Sequence, residues 1–361
     1  MMRRTREALQ ESIAAGLQLG GQVYVSRNGR TDLDEAFGEV RPAEALSTDH
    51  LLLWMSSSKP VAAVAIAQLW ERGLLRLDDR VAQHIPEFGV RGKEIITIRH
   101  LLTHTGGIRM LDVGWPRASW EEIIAKISRG RLEPRWVPGK TAGYHLTASW
   151  FILGELVRRA DGRPFELYVR EEIFEPLGML DSWIGMPVDT FHQYAERLAP
   201  VFDTQTEVPT RLDWSSERRV TRCSPGGNGW GPARELGRFY EMLLGSGSWE
   251  GVRVLLPQTV EALTARHRTG LFDKTFRQHI DWGLGFVVNG SDEGGKSGYG
   301  HWPSASSRAY GHSGYRSSTA FADPEHRLAV VILLNGTPDE TSHLRRMRAI
   351  TTAIYKDLGL V

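Results

Sequence analysis

The sequence predicts an α/β (α+β) fold: one antiparallel sheet flanked by helices, formed from the N- and C-terminal segments, with an inserted, mainly helical lobe. Three observations point there. Strand patterns lie near both ends of the chain, helical patterns fill the middle, and one helix around Pro60 is apolar on almost every side. Residues 1–75 with 246–361 are therefore assigned to the sheet-bearing lobe and 76–245 to the helical one, with the default site in the cleft between them.

Each element follows from its residues. Leu9, Ile13 and Leu17 recur every four residues and predict an amphipathic first helix. The segment GGQVYVSR reads as a strand closed by the Asn28-Gly29 hairpin signal, and a second strand is expected around Glu35 to Val40. A short apolar strand, Leu51 to Trp54, leads into SSSKPVAAVAIAQLWERGL (56–74), the buried helix. Further helices are expected at 119–128, 147–159 and 232–244, the last with Pro232 near its first turn. The final third returns to strands at 284–289, 318–324 and 328–335, all rich in β-branched and aromatic residues. Asp323-Pro324-Glu325-His326 supplies a turn between the last two, and a closing helix runs over 342–358. The loops at 108–118, 200–232 and 291–308 shape any pocket.

Composition excludes several function classes. The net charge is +1 with Lys and Arg scattered, so no nucleic-acid partner is implied. One cysteine, Cys223, permits no intramolecular disulfide, which fits a reducing compartment, and it is given no role. Glu7, Gln10 and Glu11 interrupt any apolar core of a secretion signal. The longest apolar run, Val61 to Leu69, is too short to span a membrane and contains Gln68. A cytoplasmic chain with no membrane partner is expected; oligomeric state is not legible.

The first chemical candidate is Ser56-Ser57-Ser58-Lys59. A serine hydroxyl needs a base to remove its proton, and at the start of a helix residues i and i+3 share a face, so Lys59 reaches Ser56. The helix start offers unpaired N–H groups to a developing oxyanion. Burial among Trp54, Val61 and Ala62 lowers a lysine pKa and makes it a base. The spacing alone arises by chance about once in a chain this long, so the context of the buried helix carries the argument.

The stretch LLLWMSSSKPVAAVAIAQLWERGLLRLDDRVAQHIPEF resembles the nucleophile segment of class C β-lactamases, penicillin-recognising enzymes and their esterase relatives. IRHLLTHTGGI, RADGRPFELYVREEIFEPLGMLDS, SPGGNGWGPARELGRFYEMLL and AFADPEHRLAVVILLNG continue the resemblance in the family's order over most of the chain. It implies the β-lactamase/transpeptidase-like fold. It also implies that Tyr144 takes the tyrosine place of the family's Tyr-x-Asn motif, helping to move a proton between nucleophile and leaving group. The asparagine is absent: His145 and Leu146 follow. The resemblance further puts Gly311-His312-Ser313-Gly314 at the Lys-Thr-Gly position, with Gly314 allowing close approach of substrate and the N–H of Tyr315 completing an oxyanion hole with that of Ser56. His312 in place of lysine, and Leu146 in place of asparagine, tilt the substrate towards neutral esters.

The reading is thus a serine hydrolase cleaving small-molecule carboxylic esters through an acyl-serine, as in family VIII carboxylesterases. Ser56, Lys59 and Tyr144 are catalytic; His312, Ser313, Gly314, His145, Trp230 and Trp302 are placed at the substrate. No cofactor or metal is implied. His100 and His104 are spaced i, i+4, but neither the glutamate of a zinc-protease motif nor a third ligand accompanies them. Trp150 and Trp282 join Trp230 and Trp302 as candidates for an aromatic acyl pocket. Alternatives on the same scaffold are a β-lactamase or D-amino acid peptidase, a biosynthetic acyltransferase and an inactive ligand-binding relative. Gly311-His312-Ser313-Gly314 also looks like a lipase nucleophile elbow, with Asp323, His326 and His343 downstream, but the fifth position is Tyr315 rather than glycine.

Overall fold

Strands Ser318–Asp323 and Leu328–Leu334 are buried at every residue, because both faces of their sheet are covered. A computed structural model describes residues 2–290 and 302–361 of the chain. Its main sheet runs, from edge to edge, Asp281–Trp282, Val287–Val288, Tyr310–Gly314, Ser318–Asp323, Leu328–Leu334, Gly20–Arg27, Arg30–Arg41 and Glu44–Ala45. Every neighbouring pair is antiparallel. The two ends of the chain meet at the sheet's centre, where Val25 lies opposite Val330.

Side chains of a strand alternate between faces, and here the alternation feeds two cores. Val330 and Ile332 pack with Leu9, Ile350 and Ile354 beneath helices Arg3–Ala14 and Glu340–Asp357. Ala329, Val331 and Leu333 pack on the other side with Leu236, Phe239 and Tyr240 of helix Ala233–Leu244. Helix Lys59–Glu71 is buried from Lys59 to Leu69 and packs against helices Ala148–Asp161, Phe165–Val169 and Pro257–Thr264. Among the described residues no helix is long and apolar enough to cross a membrane.

Three local expectations shift. Leu17 lies beyond the first helix, which ends at Ala14. Residues 56–58 form a separate 3-10 turn ahead of the buried helix. Only Val287–Val288 of the 284–289 segment joins the ladder. Gly285, at φ +84°, turns the chain before it, and a Cβ there would sit 2.4 Å from that of Ala63. The segment therefore bends over the buried helix instead of extending. Residues 291–301 of the predicted pocket loop lie outside the described residues.

The predicted turn at 323–326 is held by a buried carboxylate. Asp323 accepts hydrogen bonds from the backbone N–H and hydroxyl of Ser306, from His326 Nδ1 at 2.8 Å and from the Tyr355 hydroxyl at 2.7 Å. Burial pushes its pKa up, but these donors outweigh that, and the carboxyl titrates below its usual range. A depressed carboxylate stabilises the fold above its unfolded pKa, and that stability is lost as pH falls through the folded value. Asp323→Asn is expected to cost roughly 2 kcal/mol at neutral pH, the scale of a hydrogen bond to a charged group. In denaturant melts the gap between native protein and variant should narrow as the pH drops below about 4, the unperturbed carboxylate range.

Candidate active site

Strand Leu52–Met55 ends in strain. Met55 has φ 51° and ψ −137°, a conformation that costs a non-glycine residue roughly 1–3 kcal/mol and persists only where its surroundings impose it. The next three residues form the 3-10 turn, and their hydroxyls have three different environments. Ser57 donates to the His312 carbonyl at 3.1 Å and lies 3.0 Å from the Ser318 hydroxyl. Ser58 donates to the Met55 carbonyl at 2.7 Å and accepts from Gly229 N–H at 2.9 Å. Ser56 alone faces a base, with its Oγ 2.9 Å from Lys59 Nζ.

Lys59 is 1% exposed. Its amine donates to the Gly226 carbonyl at 2.6 Å and sits 5.2 Å and 5.3 Å from the ring centroids of Tyr144 and Trp150. Cation–π attraction of about 0.5–2 kcal/mol favours the charged form. Removing an ammonium from water costs several kcal/mol, so burial wins and drives the Lys59 pKa well below that of an ordinary lysine. The neutral amine keeps a lone pair for the Ser56 proton.

Tyr144, 3% exposed, completes the cluster. Its ring centroid lies 4.7 Å from that of His104 and 5.9 Å from that of His312. His312 is fully buried, with Nδ1 2.8 Å from the Ser313 carbonyl. Burial, reinforced by the nearby Lys59, holds its imidazole well below the usual histidine range. Leu146 and Tyr315, 49% and 54% exposed, add apolar surface on segments flanking this cluster.

Gly314 ends strand Tyr310–Gly314. A Cβ on Gly314 would lie 2.6 Å from that of Met55 and 2.7 Å from the Trp54 carbonyl oxygen. The glycine lets this strand press against the turn that begins at Ser56. Ser313 pairs across the sheet with Thr319, their hydroxyls 3.0 Å apart. It lies within a strand rather than on a strand-to-helix turn, so the lipase-elbow reading is excluded.

Three further expectations are corrected. His145 is fully buried, and its Nε2 accepts the N–H groups of Gly107 and Ile108 at 2.8 and 3.1 Å, so it pins a loop instead of touching substrate. Trp230 is fully buried in a cluster with Leu51, Leu53 and Met186, on a short strand between Leu52–Met55 and Trp183–Ile184. Trp302 is 1% exposed, stacked on Phe321 and bonded through Nε1 to Thr319. Both indoles are thus held within packed cores. Trp150 and Trp282, also fully buried, wall Lys59 and His104.

Sequence reasoning missed His104 as a part of the site. Its Nδ1 accepts from His145 N–H at 2.9 Å, while His100 Nδ1 accepts from Thr97 N–H, so the two histidines serve separate backbone contacts. No group of metal-ligating side chains occurs among the described residues. Asp273, which bonds the Tyr144 backbone, was also missed.

The electrostatics set a pH profile. A lysine that takes the Ser56 proton must do so as the free amine, so with Lys59 as the base activity is expected to fall as pH drops through its depressed pKa and to level off above it. The acid limb of kcat/KM should lie well below the ordinary lysine value of about 10.4. Lys59→Met should remove that limb and lower kcat/KM by about 10³-fold or more, measured across a pH series.

Comparison with known proteins supplies the family. Residues 6–353 match the family model described as Beta-lactamase. The "Esterase/beta-lactamase LipL" of Mycobacterium tuberculosis is 25% identical over 90% of this chain and 79% of its own. A penicillin-binding protein homologue from Caulobacter crescentus superposes with a TM-score of 0.79 at 28% identity, covering 98% of this chain and 97% of that one. A family VIII carboxylesterase superposes with a TM-score of 0.82 at 24% identity, covering 98% and 96%. A sheet built from both chain ends, a serine three residues ahead of a buried lysine, and a family match across nearly the whole length lead to one assignment: this chain belongs to the beta-lactamase family of serine hydrolases.

Proposed function

We propose that the protein is a carboxylesterase acting on neutral small-molecule esters. The observation that carries the reading is the buried His312, whose ring lies 5.9 Å from that of Tyr144 and is held neutral by burial and the nearby Lys59, at the position where the family resemblance calls for a permanent lysine cation. A fixed cation favours an anionic substrate such as a β-lactam carboxylate; a buried neutral imidazole does not. The exposed Leu146, in place of an amide, adds apolar surface after Tyr144.

The mechanism has two steps. Lys59 takes the Ser56 proton as Oγ attacks the ester carbonyl, and the N–H groups of Ser56 and Tyr315 hold the oxyanion. The carbon–alkoxide bond then breaks, and the alkoxide leaves as alcohol with the proton relayed through Lys59 and Tyr144. Water, deprotonated by the same pair, attacks the acyl-serine and releases the acid. Aligned N–H donors of this kind contribute roughly 3–4 kcal/mol each to acyl transfer.

The test compares native protein with Ser56→Ala on p-nitrophenyl esters of graded length and on a chromogenic cephalosporin. Native protein should prefer the esters, and Ser56→Ala should lose about 10³-fold or more of the activity. A cephalosporin turned over faster than every ester would overturn the ester assignment. Activity surviving in Ser56→Ala would remove the nucleophile.

A further inference from the structure

Tyr144 lies in an irregular stretch ahead of helix Ala148–Asp161, so no helix or ladder of its own fixes it. Its position is instead set from a segment far along the chain. The Tyr144 N–H donates to Asp273 Oδ1 at 3.1 Å, and its carbonyl accepts from Thr275 Oγ1 at 3.1 Å. The Phe276 ring lies 4.8 Å from the Tyr144 ring, and Lys274 N–H donates to the Ala142 carbonyl at 3.0 Å. Residues 273–276 therefore grip the tyrosine on both backbone sides and on its ring.

Asp273 is the hub of that grip. It is fully buried, and Oδ1 also accepts the N–H groups of Thr275 and Phe276 at 2.9 and 3.0 Å. Its Oδ2 accepts from Arg268 Nη2 at 2.9 Å, in an ion pair whose side chains are 1% and 0% exposed. Arg268 donates further to the Thr103 and Ile280 carbonyls at 3.2 Å each. Thr103 precedes His104, whose Nδ1 holds the residue after Tyr144. A buried ion pair is a poor source of stability, because desolvation offsets most of its attraction; its defensible use is to hold one geometry among several.

We infer that Asp273, Arg268 and Thr275 are positioning residues that hold Tyr144 at the distance proton transfer requires. The inference rests on the assignment of Ser56 and Tyr144 proposed above. It predicts a defect in the chemical step with little change in ground-state binding.

The decisive variants are Thr275→Val, which nearly keeps volume but removes the hydroxyl that donates to the Tyr144 carbonyl and accepts from Arg109 Nη1 at 3.1 Å, and Thr275→Ser, which restores it. Three readouts are compared: ester hydrolysis across pH, the labelling rate of the nucleophile by a fluorophosphonate, and thermal melting. Thr275→Val should lower kcat about tenfold with KM held, shift the pH profile and slow labelling, while Thr275→Ser recovers most of the rate. Asp273→Asn should show a larger loss of the same kind; if it does not fold, the Thr275 pair still decides. A Thr275→Val protein with native kcat, pH profile and labelling rate would overturn the inference, whatever its melting temperature. A preference for cephalosporin over esters would instead sink the ester assignment, since labelling reads the clamp independently of substrate.

Discussion

A lysine amine sealed from water 2.9 Å from a serine hydroxyl is the constraint on which the rest of this site depends. Kept charged, it would be an expensive buried ion with no proton-accepting lone pair. Burial instead pushes its pKa well below the ordinary lysine value and favours the neutral amine, the form a general base requires. That trade demands a dry, close-packed wall, which Tyr144, Trp150 and the apolar flank of helix Lys59–Glu71 provide. The same dryness depresses the titration of His104, His145 and His312, so the ring nitrogens around the serine act as neutral hydrogen-bonding groups.

The sheet's contribution is to bring two backbone segments together at that amine. Met55 accepts an unfavourable φ so that the chain leaves its strand and starts the turn within a single residue. Opposite it, the lack of a side chain at Gly314 allows strand Tyr310–Gly314 to lie against Trp54 and Met55. Ser57 and Ser318 then tie the contact, one bonding the His312 carbonyl and the other the Trp54 carbonyl at 2.7 Å. Strain on one side and close approach on the other belong to one arrangement.

Much of this was legible in the sequence because the signals are local. The i, i+3 relation of Ser56 to Lys59, the buried helix and the strands on either side of Asp323-Pro324 all follow from periodicity and turn chemistry over short windows. The family resemblance supplied Tyr144. What could not be read depends on neighbours distant in the chain. Asp273 meets Tyr144 across 129 positions, in a stretch whose composition is that of an ordinary charged loop. Trp230 and Trp302 sit beside glycines and prolines, which suggested open loops, yet pairing with other strands or stacking on Phe321 buries them. His145 was misplaced for the same reason: its partners are the backbone N–H groups of Gly107 and Ile108.

The meeting of the chain's two ends has a consequence for how the molecule is made. Strand Gly20–Arg27 has a local partner in Arg30–Arg41, but its other edge is covered only by Leu328–Leu334, so the centre of the sheet cannot close until residues 328–334 have been made. Until then helix Lys59–Glu71, buried in the finished protein on every side, lacks the last strands and the Pro257–Thr264 helix that complete its cover. Contacts this distant in sequence form late and slowly, and an apolar helix left waiting for them is a natural substrate for chaperones and a natural seed for aggregation. The architecture that keeps water away from the lysine in the mature protein thus leaves the nascent chain exposed for most of its synthesis.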